Sequence, residues 1–180
     1  MDVTLLVILL IVIAVIVVAF VAFFVYRQRQ QRQARAREEY GPEYERVVEE
    51  RGSEREAERE LRERRERVES EIQPLSEESR RRYDQQWQQV ERTFVDNPAG
   101  SLDDADRVVM EILTERNFPA DSRQEASKGV GVMYSGVVED FREAQQIHQD
   151  ATRSQGEADL EKMRQAIQKY RLVYERLMER

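Results

Sequence analysis

The hydrophobic pattern of the chain changes abruptly at Tyr26. Leu5 to Val25 is 21 consecutive apolar residues, whereas the residues after Tyr26 are mostly polar, with apolar side chains at intervals. A helix of that length reaches about 32 Å, which matches a bilayer hydrocarbon core of about 30 Å. The pattern therefore predicts a transmembrane anchor over residues 1–26, in a single-pass protein of the cell membrane.

A basic segment follows the apolar run. Residues 27–37 contain five arginines and no acidic residue, and an excess of positive charge beside a span marks the cytoplasmic side. We therefore expect the N-terminus outside the cell and residues 27–180 in the cytoplasm. Binding of anionic lipid headgroups is a sharper alternative role for the same side chains. The residues interpreted as this membrane-surface and topology signal, here called the basic collar, are Tyr26, Arg27, Arg29, Arg32, Arg35 and Arg37.

A cleaved signal peptide is the main competing interpretation of the apolar run. Such a peptide has basic residues before the run and small residues at a cleavage site. Here Met1 and Asp2 precede the run, which ends in the sequence AFFV at residues 22–25. An uncleaved anchor fits these residues better. A helix of a soluble core is the remaining alternative, but it would be apolar on every side for six turns.

Residues 38–73 form a charged segment with fourteen Glu and eight Arg. The two residue types alternate at i, i+3 and i, i+4 spacing, which stabilises a solvated helix. We interpret the segment as a charged helical stalk whose narrow apolar stripe rests on a partner helix. Pairing of two copies along that stripe is the alternative, although the stripe is an incomplete coiled-coil seam. Its members are Ala57, Leu61, Val68, Ile72 and Leu75.

Residues 74–180 show apolar positions at helical spacings of three and four in four successive stretches. Stripes of this kind must be buried against one another or against a partner. The pattern predicts an all-α fold in which this region is a bundle of about four amphipathic helices, with Ser76, Ser101 and Ser122 as N-caps. The two clearest stripes form either core or a partner-binding face. They are Tyr83, Trp87, Val90 and Phe94, and Leu160, Met163, Ile167, Tyr170, Tyr174 and Leu177.

Three stretches after the basic collar resemble a known family. They are REEYGPEYERVVEERGSEREAERELRERRERVES at residues 37–70, IQPLSEESRRRYDQQWQQVERTFVDNPAGSLDDADRVVMEILTERNFP at 72–119 and DLEKMRQAIQKYRLVYERL at 159–177, and their more specific parts are YGPEY and FVDNPAG. They are similar to a family of small, membrane-anchored helical proteins of actinobacteria that has no assigned activity, and the resemblance covers most of residues 37–180. It implies a helical architecture and membrane attachment, and it implies no catalytic residue. Relatives have a short connector with His-Pro where this chain has ASKGVGVMYSG, at residues 126–136.

Composition excludes several kinds of chemistry. The chain has no cysteine, which excludes disulfides, thiolate metal sites and thiol nucleophiles. Residues 38–180 carry 24 basic and 35 acidic groups, a net charge of −11. A nucleic acid would be repelled by this charge, so we expect no nucleic-acid partner.

Isolated residues of reactive type do not form a known motif. His148 is the single histidine, and no second ligand stands at metal-binding spacing from it. We interpret it as a packing residue. Tyr134 stands where the third glycine of a phosphate loop would follow Gly129 and Gly131, so we predict that this stretch is a flexible connector.

Three neighbouring acids, Asp103, Asp104 and Asp106, lack the glycine and the terminal glutamate of a calcium loop. We interpret them as first-turn residues that stabilise a helix dipole. The sequence thus predicts no catalytic residue, no cofactor and no metal site.

Two functions of different classes fit these features. The first is a non-enzymatic single-pass membrane protein that presents a cytoplasmic helical protein-interaction module, with the bilayer and an unidentified protein as partners. The second is a structural stalk or scaffold subunit of a membrane complex, assembled as a coiled-coil homo-oligomer. Pro74, Pro98 and Pro119 divide the chain into short helices, and we therefore favour the first.

Overall fold

A computed structural model describes residues 19–21, 23–24, 26–27, 30, 34–153 and 160–179. The regular elements of these residues are all helical. The chain divides into two compact units, Met1–Glu39 and Tyr40–Arg180. The second unit contains the helices α1 Pro42–Arg51, α2 Glu54–Glu71, α3 Glu77–Thr93, α4 Pro98–Glu115, α5 Arg123–Met133, α6 Val138–Arg153 and α7 Leu160–Met178.

The transmembrane part of the fold prediction is corrected by the structure. No helix among the described residues is long and apolar enough to cross a membrane, because the described part of the apolar run is limited to residues 19–21, 23 and 24, whereas a span takes about 20 residues. This contradicts the predicted single-pass architecture and the predicted plasma-membrane location. Residues 1–18, which carry most of the run, lie outside the described residues. The all-helical fold class itself is confirmed.

The first unit is described in part. Residues 34–39 are helical, and the side chains of Phe20, Phe23, Phe24 and Tyr26 are exposed. Of the basic collar, Arg27, Arg35 and Arg37 are exposed, whereas Arg29 and Arg32 lie outside the described residues. The membrane-surface role of the collar depended on the transmembrane prediction, which the structure contradicts.

The charged stretch of residues 38–73 folds into two helices, α1 and α2, that pack against each other. Gly41 (φ 52°) and Gly52 (φ 67°) take up left-handed backbone conformations at the two ends of α1, which glycine adopts without steric cost. The helix α2 also packs against α5, and its apolar residues Ala57, Leu61 and Val68 are buried. From Tyr40 onward, the stretch predicted as a stalk therefore lies in the same compact unit as the bundle.

The helix α4 occupies the middle of the bundle, where it contacts α3, α5, α6 and α7. Its apolar face, which includes Leu102, Val109 and Ile112, is fully buried. Trp87 of α3 stacks on Tyr174 of α7, with ring centroids 4.5 Å apart. Two of the three predicted N-caps are confirmed: the hydroxyls of Ser76 and Ser122 accept hydrogen bonds from backbone N–H groups three residues ahead.

The glycine-containing stretch is helical, and the prediction of a flexible connector is wrong. Gly129 and Gly131 lie inside α5 and are buried. A Cβ atom at Gly129 would come within 2.9 Å of Pro119 Cγ, and one at Gly131 within 3.0 Å of Glu43 Cδ. These glycines therefore allow neighbouring segments to approach the helix closely, and glycine in a helix has this packing use despite its low helix propensity.

The start of α4 also differs from the prediction. Asn97 is the N-cap, its side-chain oxygen accepts the Gly100 N–H at 3.0 Å, and Pro98 is the first helical residue. The helix thus begins before Ser101. Asp103, Asp104 and Asp106 lie beyond the first turn, and a helix-dipole role does not explain them, because that effect is confined to the first turn.

Candidate functional site

Glu43, of the YGPEY stretch, is fully buried near the start of α1. Its carboxylate accepts hydrogen bonds from three arginines on three helices. Arg46 of α1 donates to it at 2.5 and 3.2 Å, Arg64 of α2 donates at 3.1 Å, and Arg142 of α6 makes a third ion pair. We call Glu43 and these three arginines the Glu43 cluster.

The Glu43 cluster holds its carboxylate in the charged form. Burial alone would raise the pKa of Glu43, but the hydrogen bonds and positive charges of Arg46 and Arg142 outweigh burial and lower the pKa below its ordinary value. The position near the N-terminus of α1 favours a negative charge as well. Gly131 leaves room for the carboxylate, because any side chain there would meet it.

A second buried carboxylate, Asp106, belongs to α4. It accepts a hydrogen bond from the hydroxyl of Tyr170 at 3.0 Å, and Arg123 donates to it through Nη2 at 2.5 Å and through Nε at 3.1 Å. Burial, followed by the charge of Asp106, raises the pKa of Tyr170, so its hydroxyl remains protonated and donates. We call Asp106, Arg123 and Tyr170 the Asp106 cluster.

A shallow groove, here called the polar groove, runs over α1, α5 and α6 between the two clusters. It encloses about 320 Å³. All of its lining side chains are cationic or neutral and polar. Arg46, Arg123 and Arg142 supply the cations, and the neutral side chains include Gln145, Gln146 and Gln149.

Gln145 is the unusual member of the polar groove. Its side chain is 6% exposed, and its Oε1 atom lies 3.1 Å from the hydroxyl of Ser127, which donates to it. The Nε2 atom is buried and has no hydrogen-bond partner among the residues that the structure describes. Buried amide groups are almost always paired, so an unpaired donor at a polar groove indicates a place where a ligand acceptor would be favourable.

A larger cavity of about 790 Å³ is lined by side chains that include Arg123 and Asp106. His148 borders it, is 8% exposed, and places Nε2 2.6 Å from Asp103 Oδ1. The interpretation of His148 as a packed side chain agrees with its burial. Among the described residues, no three His, Cys, Asp or Glu side chains are grouped so that they could hold a metal ion.

The predicted stripes lie in the core and do not form the groove. Tyr83, Trp87 and Val90 are buried, as are Met163, Ile167, Tyr170, Tyr174 and Leu177. Phe94 is half-buried, and Leu160 is 59% exposed. The structure joins the two stripes at the Trp87–Tyr174 stack. Of the predicted residues, Tyr170 alone belongs to one of the two carboxylate clusters.

Sequence reasoning missed Glu43, Asp106 and the arginines that surround them. The available signals were weak: a glutamate directly after Gly-Pro, and two glycines in a stretch that would otherwise form a helix. Neither signal identifies a partner, because Arg64 and Arg142 lie 21 and 99 residues from Glu43.

The comparisons with known proteins assign no family. No family model, no curated protein and no solved structure matches the chain. The resemblance to actinobacterial proteins therefore stays a prediction.

Proposed function

We propose that residues 40–180 act as a helical module that binds a protein partner and catalyses no reaction. The polar groove carries this proposal. Its side chains stand on three helices, and the Glu43 and Asp106 clusters fix three of its cations. Preorganised side chains lose little conformational entropy when a partner binds.

The distribution of apolar side chains supports a polar recognition surface. The large apolar side chains of the second unit are mostly packed inside it, and the exposed ones among its described residues are Val95, Leu160 and Leu172. These three residues lie far apart in the sequence, and single exposed apolar residues are normal on protein surfaces. The polar groove is thus the better-defined candidate surface.

The stalk alternative gains no comparable support. Homo-oligomerisation through a coiled coil would use the apolar stripe of α2, but Ala57, Leu61 and Val68 are buried within the chain itself. A stripe that already packs against α1 and α5 is not exposed to a second copy. We therefore propose the interaction module alone.

Site-specific photo-crosslinking in cells tests the proposal. A photoreactive amino acid is placed in the full-length chain at Gln149, which lines the groove, or at Gln168, an exposed residue of α7 that serves as the control. We expect one protein adduct from position 149 and none from position 168. The adduct protein is identified by mass spectrometry, purified, and shown to bind the unmodified chain.

Two results would contradict the proposal. One is the same set of adducts from both positions, which would indicate random collision. The other is depletion of a small molecule when the purified full-length chain is incubated with a cell metabolite extract, because a binding module consumes no substrate.

A further inference from the structure

The charge of the polar groove is opposite to the charge of the chain. The whole chain carries a net charge of −7, yet the side chains that line the groove include three arginines and no carboxylate. The acids that pair with these arginines lie behind the lining, as Glu43 and Asp106 do, or at the rim, as Glu50 and Glu139 do. An anionic ligand would therefore meet guanidinium groups first.

The Glu43 cluster has more positive than negative charge. One carboxylate cannot neutralise three guanidinium groups, so Arg46 and Arg142 extend to the exposed Glu50 and Glu139 for further partners. Ion pairs with an exposed partner contribute little to stability. A ligand carboxylate can replace them at little cost, and arginine binds carboxylates in a two-pronged geometry.

The glutamines of the groove define the rest of the ligand. Gln145 and Gln149 are one helical turn apart on α6, and Gln146 lies beside them. Glutamine amides both donate and accept hydrogen bonds, which matches the alternating N–H and C=O groups of a peptide backbone. A phosphate or a nucleic-acid backbone offers acceptors almost exclusively, so half of this capacity would be unused.

We propose that the polar groove binds an acidic peptide segment of the partner protein, with ligand carboxylates on Arg46 and Arg142 and ligand backbone on the glutamines of α6. The unpaired Nε2 of Gln145 donates to a carbonyl or carboxylate oxygen of the segment. This inference rests on the proposed function, because it names the chemistry of the partner. We expect the acidic part of this segment to be short, because the chain outside the groove is acidic and repels a longer polyanion.

Fluorescence anisotropy with labelled octaglutamate and octaglutamine tests the inference on the purified full-length chain. We expect octaglutamate to bind with a dissociation constant at least tenfold below that of octaglutamine and to weaken as salt is added. Equal binding of the two peptides, or no binding of octaglutamate, would overturn the inference.

Variants that add negative charge to the groove locate the binding site. The double variant Gln146→Glu with Gln149→Glu alters two exposed groove residues, and we expect at least a fivefold loss of octaglutamate affinity. Gln165→Glu with Gln168→Glu, at two exposed residues of α7, adds the same two negative charges away from the groove and serves as the control. Equal losses in the two variants would show that net charge alone governs binding and would overturn the assignment to the groove.

Arginine variants separate binding from folding. Arg46→Gln and Arg64→Gln each remove one ion pair of Glu43, but Arg46 lines the groove and Arg64 does not. Both variants should lose stability, and only Arg46→Gln should lose octaglutamate affinity beyond the fraction unfolded. Equal affinity in the two folded variants would overturn the proposed contact.

The binding of two other kinds of anion supplies the last test. Inorganic phosphate and a labelled octauridylate are titrated under the same conditions, and we expect both to bind more weakly than octaglutamate. Tighter binding of either would overturn the assignment to an acidic peptide. If position 149 crosslinks to a protein while octaglutamate does not bind, the proposed function stands and the acidic nature of the partner segment is refuted.

Discussion

Glu43 and Asp106 are both buried carboxylates, yet they are neutralised in different ways. Glu43 is surrounded by three arginines from α1, α2 and α6, whereas Asp106 has one arginine and one tyrosine hydroxyl. The arginines of the first arrangement also pair with Glu50, Glu60 and Glu139, whereas Arg123 of the second pairs with the buried Asp106. Two of these arginines, Arg46 and Arg142, supply the cations of the polar groove on the side of α1 and α6.

The two clusters also join different parts of the fold. The Glu43 cluster links α1 and α2 to α6, so it fastens the charge-rich pair of helices to the bundle. The Asp106 cluster links α4, α5 and α7 inside the bundle. A change at Glu43 should therefore weaken the attachment of α1 and α2 to the bundle. A change at Tyr170 should weaken a single contact inside the bundle.

Glu43→Gln is expected to have the largest effect of the changes considered. It keeps the shape of the side chain and removes the charge that three partly buried guanidinium groups share, and removing one partner of a buried ion pair costs about 3–5 kcal/mol. We expect a loss of this size in the free energy of unfolding, measured by urea denaturation. Trp87, the single tryptophan, is buried on Tyr174 and reports unfolding by its fluorescence.

The matched control for Glu43→Gln is Glu50→Gln. Glu50 pairs with the same Arg46 but is 47% exposed, and exposed pairs contribute about 0–1 kcal/mol. Similar losses in the two variants would mean that burial of Glu43 does not determine its contribution.

Acidification should lower the stability of the protein because it neutralises the carboxylate of Glu43. Because Arg46 and Arg142 lower the pKa of folded Glu43 despite its burial, the folded state binds a proton less readily than the unfolded chain. The stability from this carboxylate is therefore fully present above the unfolded value of about 4.3 and is lost as the pH falls through the lower folded value.

Urea denaturation between pH 7 and pH 2 measures the acid effect. We expect the stability difference between the wild-type chain and Glu43→Gln to be constant above about pH 5 and to shrink below it. A difference that grows on acidification would mean that the folded pKa is raised, and the assignment of three stabilising arginines would fail.

Gly131→Ala tests the close approach of α5 to Glu43. The added Cβ would lie 3.0 Å from Glu43 Cδ, and forcing a methyl group into a packed site costs about 1–3 kcal/mol. The control is Gly136→Ala, which meets no atom within 4 Å and should be neutral or stabilising by up to about 1 kcal/mol. Thermal unfolding followed by circular dichroism distinguishes the two, and equal melting temperatures would contradict the close contact.

Local patterns in the sequence were sufficient to predict much of the bundle. Spacings of three and four identified the faces that contain Trp87 and Tyr174, and single hydroxyl residues before helices identified Ser76 and Ser122 as caps. Such features depend on residues within one or two turns of each other, and a single sequence records them directly.

The clusters could not be predicted, because their physics is not local. Glu43 resembles the other glutamates of a charged segment until Arg64 and Arg142 are brought to it from α2 and α6. Gly129 and Gly131 indicated a loop, since glycine lowers helix propensity, and the close neighbours that favour glycine there come from distant parts of the chain. The apolar run predicted a membrane span, whereas no helix in the described part of the chain is long and apolar enough to cross a membrane.

Of the three changes Glu43→Gln, Gly131→Ala and Tyr170→Phe, the last is expected to have the smallest effect. It removes one hydrogen bond to Asp106, whose ion pair with Arg123 remains. A hydrogen bond to a charged group contributes about 1.5–3 kcal/mol, and we expect the lower end of this range because the carboxylate keeps its other partner. Tyr174→Phe is the matched control, because its hydroxyl donates to Asp84 at 2.5 Å, and Asp84 is exposed, so water can replace the lost donor. We expect urea denaturation to show the larger loss for Tyr170→Phe. The opposite order would mean that burial of the acceptor does not decide the contribution of the bond, and the contrast between the Asp106 cluster and an ordinary surface carboxylate would disappear.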